Sequence, residues 1–346
     1  MKKEICRITA LLLAVITLLA PVSASAAFVT IGGVNKAQAV DDEEAVFTFN
    51  LISDMHIGAA DAEDVMIEGF QKMQAEQGKA DAVVICGDLT NTGDPAAIEH
   101  FFSVMSANRP NANVITATGN HDMGQTSPSA ERRATFIKCR NADMGINTAT
   151  VYYSYEVKGI KFIVLGDEGN GINTCKITDT QIQWLDNELK TGAVDGKPVF
   201  VICHWPMRRC HGAHFLWPIW PGGNLNFATT NKLMNVMTKY DNVFYLSGHL
   251  HEGINGIKTT LLFNACCVED HKGVTCINSP SFGKTNRFGI GYRATGFEIA
   301  VYDSKVTILG RNFLTGEYFS DAKYTFSVPL KKAAEPEAIP MLMPAA

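Results

Sequence analysis

The sequence predicts an α/β domain in which two sheets, each mixed parallel and antiparallel, pack face to face with helices outside, an αββα sandwich. In the first half of the chain, short apolar runs alternate with segments of helical period, which is typical of parallel strands buried on both faces. A hairpin pattern follows, and the last third is rich in strand-like segments with glycine-containing turns. A content of 46% hydrophobic and 19% charged residues indicates a folded protein with a substantial core.

The first half supplies three predicted strands, the apolar runs Val46–Ile52, Ala82–Cys86 and Val114–Ala117. A helix is expected between the first two runs, and a second near Ala96–Met105, because their apolar residues recur with helical period. The apolar face of the first of these helices contains Val65, Met66, Gly69, Phe70 and Met73.

In the second half, Thr150–Val157 and Ile160–Leu165 predict an antiparallel hairpin closed by a Lys-Gly turn. A helix should follow, with Ile182, Trp184, Leu185 and Leu189 on its buried face. Further predicted elements are listed in chain order: a strand at Val199–Cys203, a helix at Asn231–Met237, and strands at Val243–Leu246, Gly296–Tyr302 and Lys305–Leu309.

The N-terminus has the pattern of a secretory signal peptide. Basic residues precede an apolar run from Ile8 to Ala20, and Ala24-Ser25-Ala26 has the A-x-A form of a cleavage site. The run has 13 residues, too few for the roughly 20 that a membrane-spanning helix needs. We therefore expect a signal peptide over 1–26, a leader over 27–44, one domain over 45–330 and a disordered tail over 331–346. The mature protein should be exported to the periplasm or the medium, with no membrane span.

The charge is nearly balanced, with 30 basic and 35 acidic residues and a formal net charge of −5. No block of Lys and Arg stands out, so the sequence indicates neither a nucleic-acid-binding tract nor an electrostatic membrane anchor. It indicates no particular oligomeric state.

An exported chain can carry disulfides, and eight of the nine cysteines follow the signal peptide. Cys86 and Cys203 end apolar strands, where a buried free thiol is the commoner state. The more favourable bridge members are Cys139, Cys175, Cys210, Cys276 and one of Cys266 and Cys267; their spacing leaves the pairing open.

Polar clusters follow several of the predicted strands, and five of the nine histidines lie in them. Ligand sites of α/β sheets form at the carboxyl ends of strands, so these separated clusters can converge in space. In chain order they are Asp54-Met55-His56, Gly87-Asp88, Gly119-Asn120-His121-Asp122, His204 and Gly248-His249-Leu250-His251.

Carboxylate, imidazole and amide donors suit divalent ions such as Mn, Zn or Fe. Seven such ligands exceed what one tetrahedral site uses, and a pair of ions sharing a carboxylate accounts for them better. The glycines before Asp88, Asn120 and His249 would let the backbone approach a crowded site.

These blocks resemble the calcineurin-like metallophosphoesterase superfamily, whose pattern D-x-H, G-D, G-N-H-D/E, H and G-H-x-H is met in order between about Val46 and Val328. The segment Thr178–Leu189 also looks like the helix that follows the central hairpin in many members. The resemblance implies the αββα fold already predicted and a hydrolase that cleaves a phosphate ester with hydroxide generated at two divalent ions.

The resemblance also implies a role for each block. Asp54, His56 and His251 would hold one ion, and Asn120, His204 and His249 the other. Asp88 would bridge the two ions. His121 would face the substrate and either stabilise charge or protonate the leaving oxygen.

The sequence around Asp88 resembles the bacterial phosphodiesterase branch. Asn91 stands where purple acid phosphatases place a tyrosine, which argues against a ferric–tyrosinate centre. A small phosphodiester is therefore the favoured substrate. The alternatives are a phosphomonoesterase or phosphoprotein phosphatase, and a non-catalytic binding module on the same fold.

Several residues near the motifs have a functional and a plainer interpretation. Arg208 and Arg209 could clamp a phosphate or lie in a solvated loop. Asp122 and Asp167 could orient imidazoles or stabilise turns. His211 and His214 could line the rim of the site, and the stretch from Phe215 to Pro221, with Trp205, could cover the site or pack on the sheet edge.

Overall fold

The computed structural model describes residues 44–76, 80–109, 113–123, 129–169, 174–211, 225–251, 254, 258–259, 263–264, 267–285 and 293–327. The predicted signal peptide, leader and C-terminal tail lie outside these ranges, except for residue 44. Within the ranges, no helix combines the length and the apolarity needed to cross a bilayer.

The first sheet has the strand order β14-β13-β12-β1-β2-β3. Its strands β1, β2 and β3 are parallel, whereas β12, β13 and β14 add an antiparallel half beside β1. The strand bounds are β1 Phe47–Ile52, β2 Ala82–Ile85, β3 Asn113–Thr116, β12 Thr295–Val301, β13 Lys305–Asn312 and β14 Tyr318–Ser327.

The second sheet has the order β10-β11-β7-β6-β5-β4. Strands β5, β6, β7 and β11 are parallel, and the edge strands β4 and β10 are antiparallel to their neighbours. The bounds are β4 Tyr153–Val157, β5 Ile160–Val164, β6 Val199–Ile202, β7 Val243–Ser247, β10 Val268–His271 and β11 Val274–Asn278. A separate two-stranded pair consists of β8 Lys258–Thr259 and β9 Phe263–Asn264.

The described helices cover the outer faces of the two sheets. Helices α1, α2 and α4 pack on the first sheet, where Phe70, Phe101 and Phe136 join one apolar cluster with Ile52 and Val83. Helices α5 and α6 pack on the second sheet in the same way. The bounds are α1 Ala62–Ala75, α2 Pro95–Asn108, α3 Asn120–Met123, α4 Ser129–Met144, α5 Asp179–Gly192 and α6 Phe227–Met237.

A third apolar cluster fills the space between the sheets. At its centre the ring of Phe49, on the first sheet, lies 5.3 Å from Phe162 and 4.8 Å from Phe200 on the second, both edge-to-face. Aromatic pairs in this geometry add to the stabilisation from apolar burial. The sandwich predicted from the sequence is therefore confirmed.

The predicted elements named above all appear, with ends that differ by a few residues. Helix α4 was not predicted, because two arginines interrupt the apolar residues of its buried face on either side of Phe136. Arg132 and Arg140 are fully buried, and the Arg140 guanidinium lies 4.3 Å from the centre of the Tyr153 ring. The strands β10, β11 and β14 were expected only as part of a strand-rich last third.

Candidate metal centre

The predicted site residues all lie at the carboxyl ends of parallel strands, on the edge where the two sheets meet. Asp54 and His56 follow β1, Asp88 follows β2, and Asn120 begins α3 just after β3. From the second sheet, His204 follows β6, and His249 and His251 follow β7. The chain thus brings all seven side chains to one edge.

The first group of donors consists of Asp54, His56, Asp88 and His251, whose ligand atoms lie within 4.8 Å of one another. The Nε2 atoms of His56 and His251 are 3.0 Å apart. His251 Nε2 is 2.9 Å from Asp54 Oδ1, and His56 Nε2 is 3.7 Å from Asp88 Oδ2. Four donors from three strands therefore point to a common centre.

The second group consists of Asp88, His204 and His249, within the same limit. His204 Nε2 lies 3.4 Å from Asp88 Oδ1, 3.2 Å from Asn120 Oδ1 and 3.2 Å from His249 Nδ1. The Nδ1 atom of His204 is 2.7 Å from the Cys86 carbonyl oxygen, which fixes the ring with Nε2 facing the group.

Asp88 belongs to both groups, with one carboxylate oxygen directed to each. Imidazole nitrogens that bind one ion at about 2.0–2.1 Å are separated by roughly 3–3.4 Å, which is close to the distances observed in both groups. The donor set of carboxylate, imidazole and amide oxygen fits hard or borderline divalent ions. The residues present therefore fit a pair of such ions sharing Asp88.

Burial and close charges perturb the protonation of these groups strongly. Burial, partly opposed by the Asp88 charge, lowers the pKa of His56 to about 3. Burial also acts to lower the pKa of His204, but the Asp88 carboxylate outweighs it together with smaller influences and raises that pKa to about 10. For Asp54, burial favours the neutral acid, yet the nearby His251 holds the pKa below its usual range. Buried carboxylates surrounded by imidazoles in this way favour a cation.

The loops that carry the donors are tightly packed and conformationally unusual. A Cβ on Gly119 would lie 2.1 Å from Asp88 Oδ1, and one on Gly248 would lie 2.6 Å from Asp54 Oδ2. Asp54, His56, Asp88, His249 and His251 all have left-handed backbone angles, with φ between 50° and 73°. Such angles are rare for residues with a Cβ and collect at functional sites. The predicted role of the glycines is confirmed, whereas the backbone strain had no signal in the sequence.

His121 lies beside both donor groups. Its backbone amide donates to Asp88 Oδ1 at 2.9 Å, and its ring centre is 4.6 Å from that of His56. Its Nδ1 is 2.7 Å from the carbonyl oxygen of Asn91. Because a carbonyl oxygen only accepts, the Nδ1 atom carries the proton of this hydrogen bond.

Lys284 is a cation in the centre that the sequence did not single out. Its Nζ donates to Asn91 Oδ1 at 2.9 Å, and the residue follows β11 on the loop beside Asp54. Burial lowers the pKa of its ammonium group, against the opposing charges of Asp88 and Asp54. There was little reason in the sequence to select this lysine as a site residue, because it lies outside the predicted motifs.

Asp122 and Asp167 stabilise loops, which is the plainer of the two roles considered for them. The Asp122 carboxylate accepts from the backbone amides of Leu89, Thr90 and Gly119, and so ties the loops after β2 and β3 together. Burial and the Asp88 charge raise the pKa of Asp122 to about 6. Asp167 likewise accepts from two backbone amides of its own loop.

The two arginines after His204 pack against an aromatic ring. The guanidinium groups of Arg208 and Arg209 lie 4.6 and 5.2 Å from the centre of the Phe227 ring, at the start of α6. Trp205 is buried, with its ring 5.3 Å from that of His204, so it packs under the centre. His211 is buried as well, while His214 and the stretch 215–221 lie outside the described residues.

The expectation of disulfides is not met among the described residues, where every cysteine is a free thiol. Cys86 and Cys203 are buried thiols, as predicted. Cys210 and Cys276 are close, but their sulfur atoms are 3.7 Å apart, well beyond the bonded distance of about 2.05 Å. Cys266 lies outside the described residues.

Comparison with known proteins agrees with this geometry. The calcineurin-like phosphoesterase family matches residues 47–253. A protein of Rhodococcus erythropolis described as a probable cyclic nucleotide phosphodiesterase is 27% identical over 286 residues, covering 77% of this chain and 85% of the relative. A cAMP/cGMP dual specificity phosphodiesterase of Mycobacterium tuberculosis is 27% identical over 239 residues, covering 63% of this chain and 67% of the relative.

Solved structures share the fold. The crystal structure of a dimetal phosphatase from Danio rerio superposes with a TM-score of 0.59 at 16% identity, covering 83% of this chain and all of that one. The family match spans more than half of the sequence and contains all the donor residues described above. The chain belongs to the calcineurin-like phosphoesterase family and is a metal-dependent hydrolase of phosphate esters.

Proposed function

We propose that this protein is a phosphodiesterase with two divalent ions, Mn, Zn or Fe, at the strand ends. Asp54, His56 and His251 hold one ion, and Asn120, His204 and His249 hold the other. Asp88 bridges them. The observation that carries the proposal is the position of Asp88, whose two carboxylate oxygens face two separate groups of donors.

The chemistry divides between the ions and the chain. A bound pair of divalent ions supplies a hydroxide near neutral pH and neutralises charge on the phosphoryl oxygens. His121 is held through Nδ1 by the Asn91 carbonyl, and in the form protonated on both nitrogens its ring would give the Nε2 proton to the leaving oxygen and be left neutral. Lys284 adds a positive charge that attracts the phosphate and balances the carboxylates around it.

A phosphodiester is the favoured substrate, and a cyclic nucleotide is the class that we propose. Two relatives that are 27% identical are described as cyclic nucleotide phosphodiesterases. A small ester also fits a chain whose sequence has no basic tract for a polyanion.

The test compares diesters with monoesters on the full-length protein. Purified protein is loaded separately with Mn, Zn and Fe, its metal content is measured, and hydrolysis of bis(p-nitrophenyl) phosphate, p-nitrophenyl phosphate and cyclic AMP is followed. We expect a larger kcat/KM for the two diesters than for the monoester. A clear preference for the monoester would identify a phosphomonoesterase instead, and absence of both bound metal and hydrolysis would identify a binding module.

We further propose that the protein is exported to the periplasm or the medium. The support is the basic, apolar and A-x-A pattern over residues 1–26. Fractionation of cells that express the full chain or a chain lacking residues 2–26 tests this. The full chain should lose its N-terminal segment and leave the cytoplasm, and an uncleaved full chain in the cytoplasm would refute the proposal.

A further inference from the structure

A second cluster of metal-binding side chains lies beside the β10–β11 hairpin of the second sheet. One ligand atom each from Cys210, Glu269 and His271 lies within 4.8 Å of the others. Cys210 is on the loop that follows β6, whereas the other two residues are on β10. This cluster shares no residue with the two donor groups around Asp88.

Strand register adds a fourth donor to the cluster. Glu269 pairs with Cys276 across the hairpin, so the two side chains are neighbours on the same face. His271, two residues along β10, points to that face as well. The Sγ atom of Cys276 lies 3.7 Å from Sγ of Cys210. Two sulfurs, an imidazole and a carboxylate therefore collect at one edge of the sheet.

The separation of the sulfurs matches a shared ion. In a tetrahedral zinc site with Zn–S bonds of about 2.3 Å, the two sulfurs are about 3.8 Å apart. Thiolate and imidazole donors select zinc over harder ions, and a carboxylate completes many such sites. A disulfide between the same residues would use neither His271 nor Glu269.

We propose that Cys210, Glu269, His271 and Cys276 form a structural zinc site, distinct from the candidate centre at the strand ends. Four protein ligands would close the coordination sphere and leave no position for a substrate. Cys210 and Cys276 are fully buried, and Glu269 and His271 are half-buried, so the ion would lie at the margin of the core.

A zinc ion at this site would connect β10 to the loop that follows β6, two parts of the chain that do not pair with each other. β10 is the edge strand of the second sheet, and the loop from His204 to Cys210 leaves β6 inside that sheet. An ion that binds residues of both would hold this loop, and with it the backbone that follows His204, against the hairpin. Its effect should therefore be on stability more than on the chemistry.

Cobalt substitution tests the site separately from the proposed catalytic centre. The seven proposed ligands of that centre include no cysteine, so of the two proposed sites the zinc site is the one that gives a sulfur-to-cobalt charge-transfer band in the near ultraviolet. Full-length protein loaded with cobalt should show this band, and it should disappear in Cys210→Ser and in His271→Ala. Cys139→Ser, at a partly buried thiol on α4, is the matched control and should keep the band.

Zinc analysis and thermal unfolding complete the test. Both site variants should bind one zinc ion fewer per chain than the control and unfold at a lower temperature. His271→Ala alters a half-buried residue on the hairpin, so it reports on the site even where Cys210→Ser does not fold. Absence of the band in the wild-type protein, its persistence in the variants, or a disulfide between Cys210 and Cys276 in the zinc-loaded protein would overturn the proposal.

Discussion

The two sheets bring different chemistry to the edge where they meet. The parallel strands of the first sheet are followed by Asp54, His56, Asp88 and Asn120. They therefore supply every oxygen donor among the seven proposed ligands of the candidate metal centre. The corresponding strands of the second sheet supply imidazoles alone, from His204, His249 and His251.

This difference shows where the negative charge of the site originates. The carboxylates of the first sheet can bridge or balance cations, whereas the imidazoles of the second bind a metal only in the neutral form. His204 reaches Asp88 only because the sheets pack face to face, and its pKa of about 10 reflects that contact. Because His251 of the second sheet belongs to the first donor group, both donor groups are complete only in the packed sandwich.

The largest effect is expected from Asp88, the donor common to both groups. Asp88→Ala should remove both ions and lower kcat/KM by about a thousandfold or more, since positioning and charge stabilisation are lost together. His249→Ala, a change confined to the second donor group, should remove one ion and cost less. Metal analysis with diesterase kinetics measures both, and equal metal loss in the two variants would contradict the bridging role.

The next effect comes from crowding around Asp88. A methyl group in Gly119→Ala would meet Asp88 Oδ1 at 2.1 Å and its backbone nitrogen at 2.4 Å, so the carboxylate must move. We expect about a hundredfold loss of kcat/KM, because small displacements at a reacting centre are costly. Gly145→Ala, which has positive φ but open space, is the control and should lose about 1 kcal/mol of stability with normal kinetics. Normal diesterase activity in Gly119→Ala would show that the loops after β2 and β3 can separate without displacing the Asp88 carboxylate.

Lys284 tests whether the second sheet also contributes positive charge from the loop after β11. Lys284→Met keeps much of the length of the side chain and removes its charge, and should reduce kcat/KM about tenfold through a weaker charge-assisted contact with the phosphate. The ratio of diester to monoester activity should change as well. Kinetics identical to the wild type would limit Lys284 to its hydrogen bond with Asn91.

The smallest effect concerns a polar contact between the sheets. Tyr153 on β4 donates its hydroxyl to Thr116 O at 2.8 Å and accepts from Thr116 N at 3.1 Å, joining the edge strand of one sheet to that of the other. Tyr153→Phe should lower the free energy of unfolding by about 1–2 kcal/mol and leave kcat nearly unchanged. Urea unfolding measures this, and a large loss of activity at full stability would instead connect this contact to the centre.

Much of the candidate site could be predicted because its residues sit in short blocks directly after apolar strands. Asp54, Asp88 and His204 needed only the rule that parallel strand ends share an edge. Lys284 and Cys210 were harder to place. Both lie on loops, and only the folded path of each loop brings Lys284 to Asn91 and Cys210 to Glu269 and His271. Helix α4 escaped prediction for another reason: buried Arg132 and Arg140 interrupt the apolar periodicity on which such predictions depend.

The place of β1 has a consequence for how the chain can fold. This strand, which carries Asp54 and His56 at its end, pairs with β2 on one side and with β12 on the other. β12 lies beyond residue 253, where the family match ends. During synthesis, one edge of β1 therefore stays unpaired until β12 has been made. Pairings between strands so far apart in the sequence also form slowly. A fragment cut at the family boundary would contain all seven proposed ligands of the candidate metal centre, yet it would expose the edge of its central strand and be prone to aggregate.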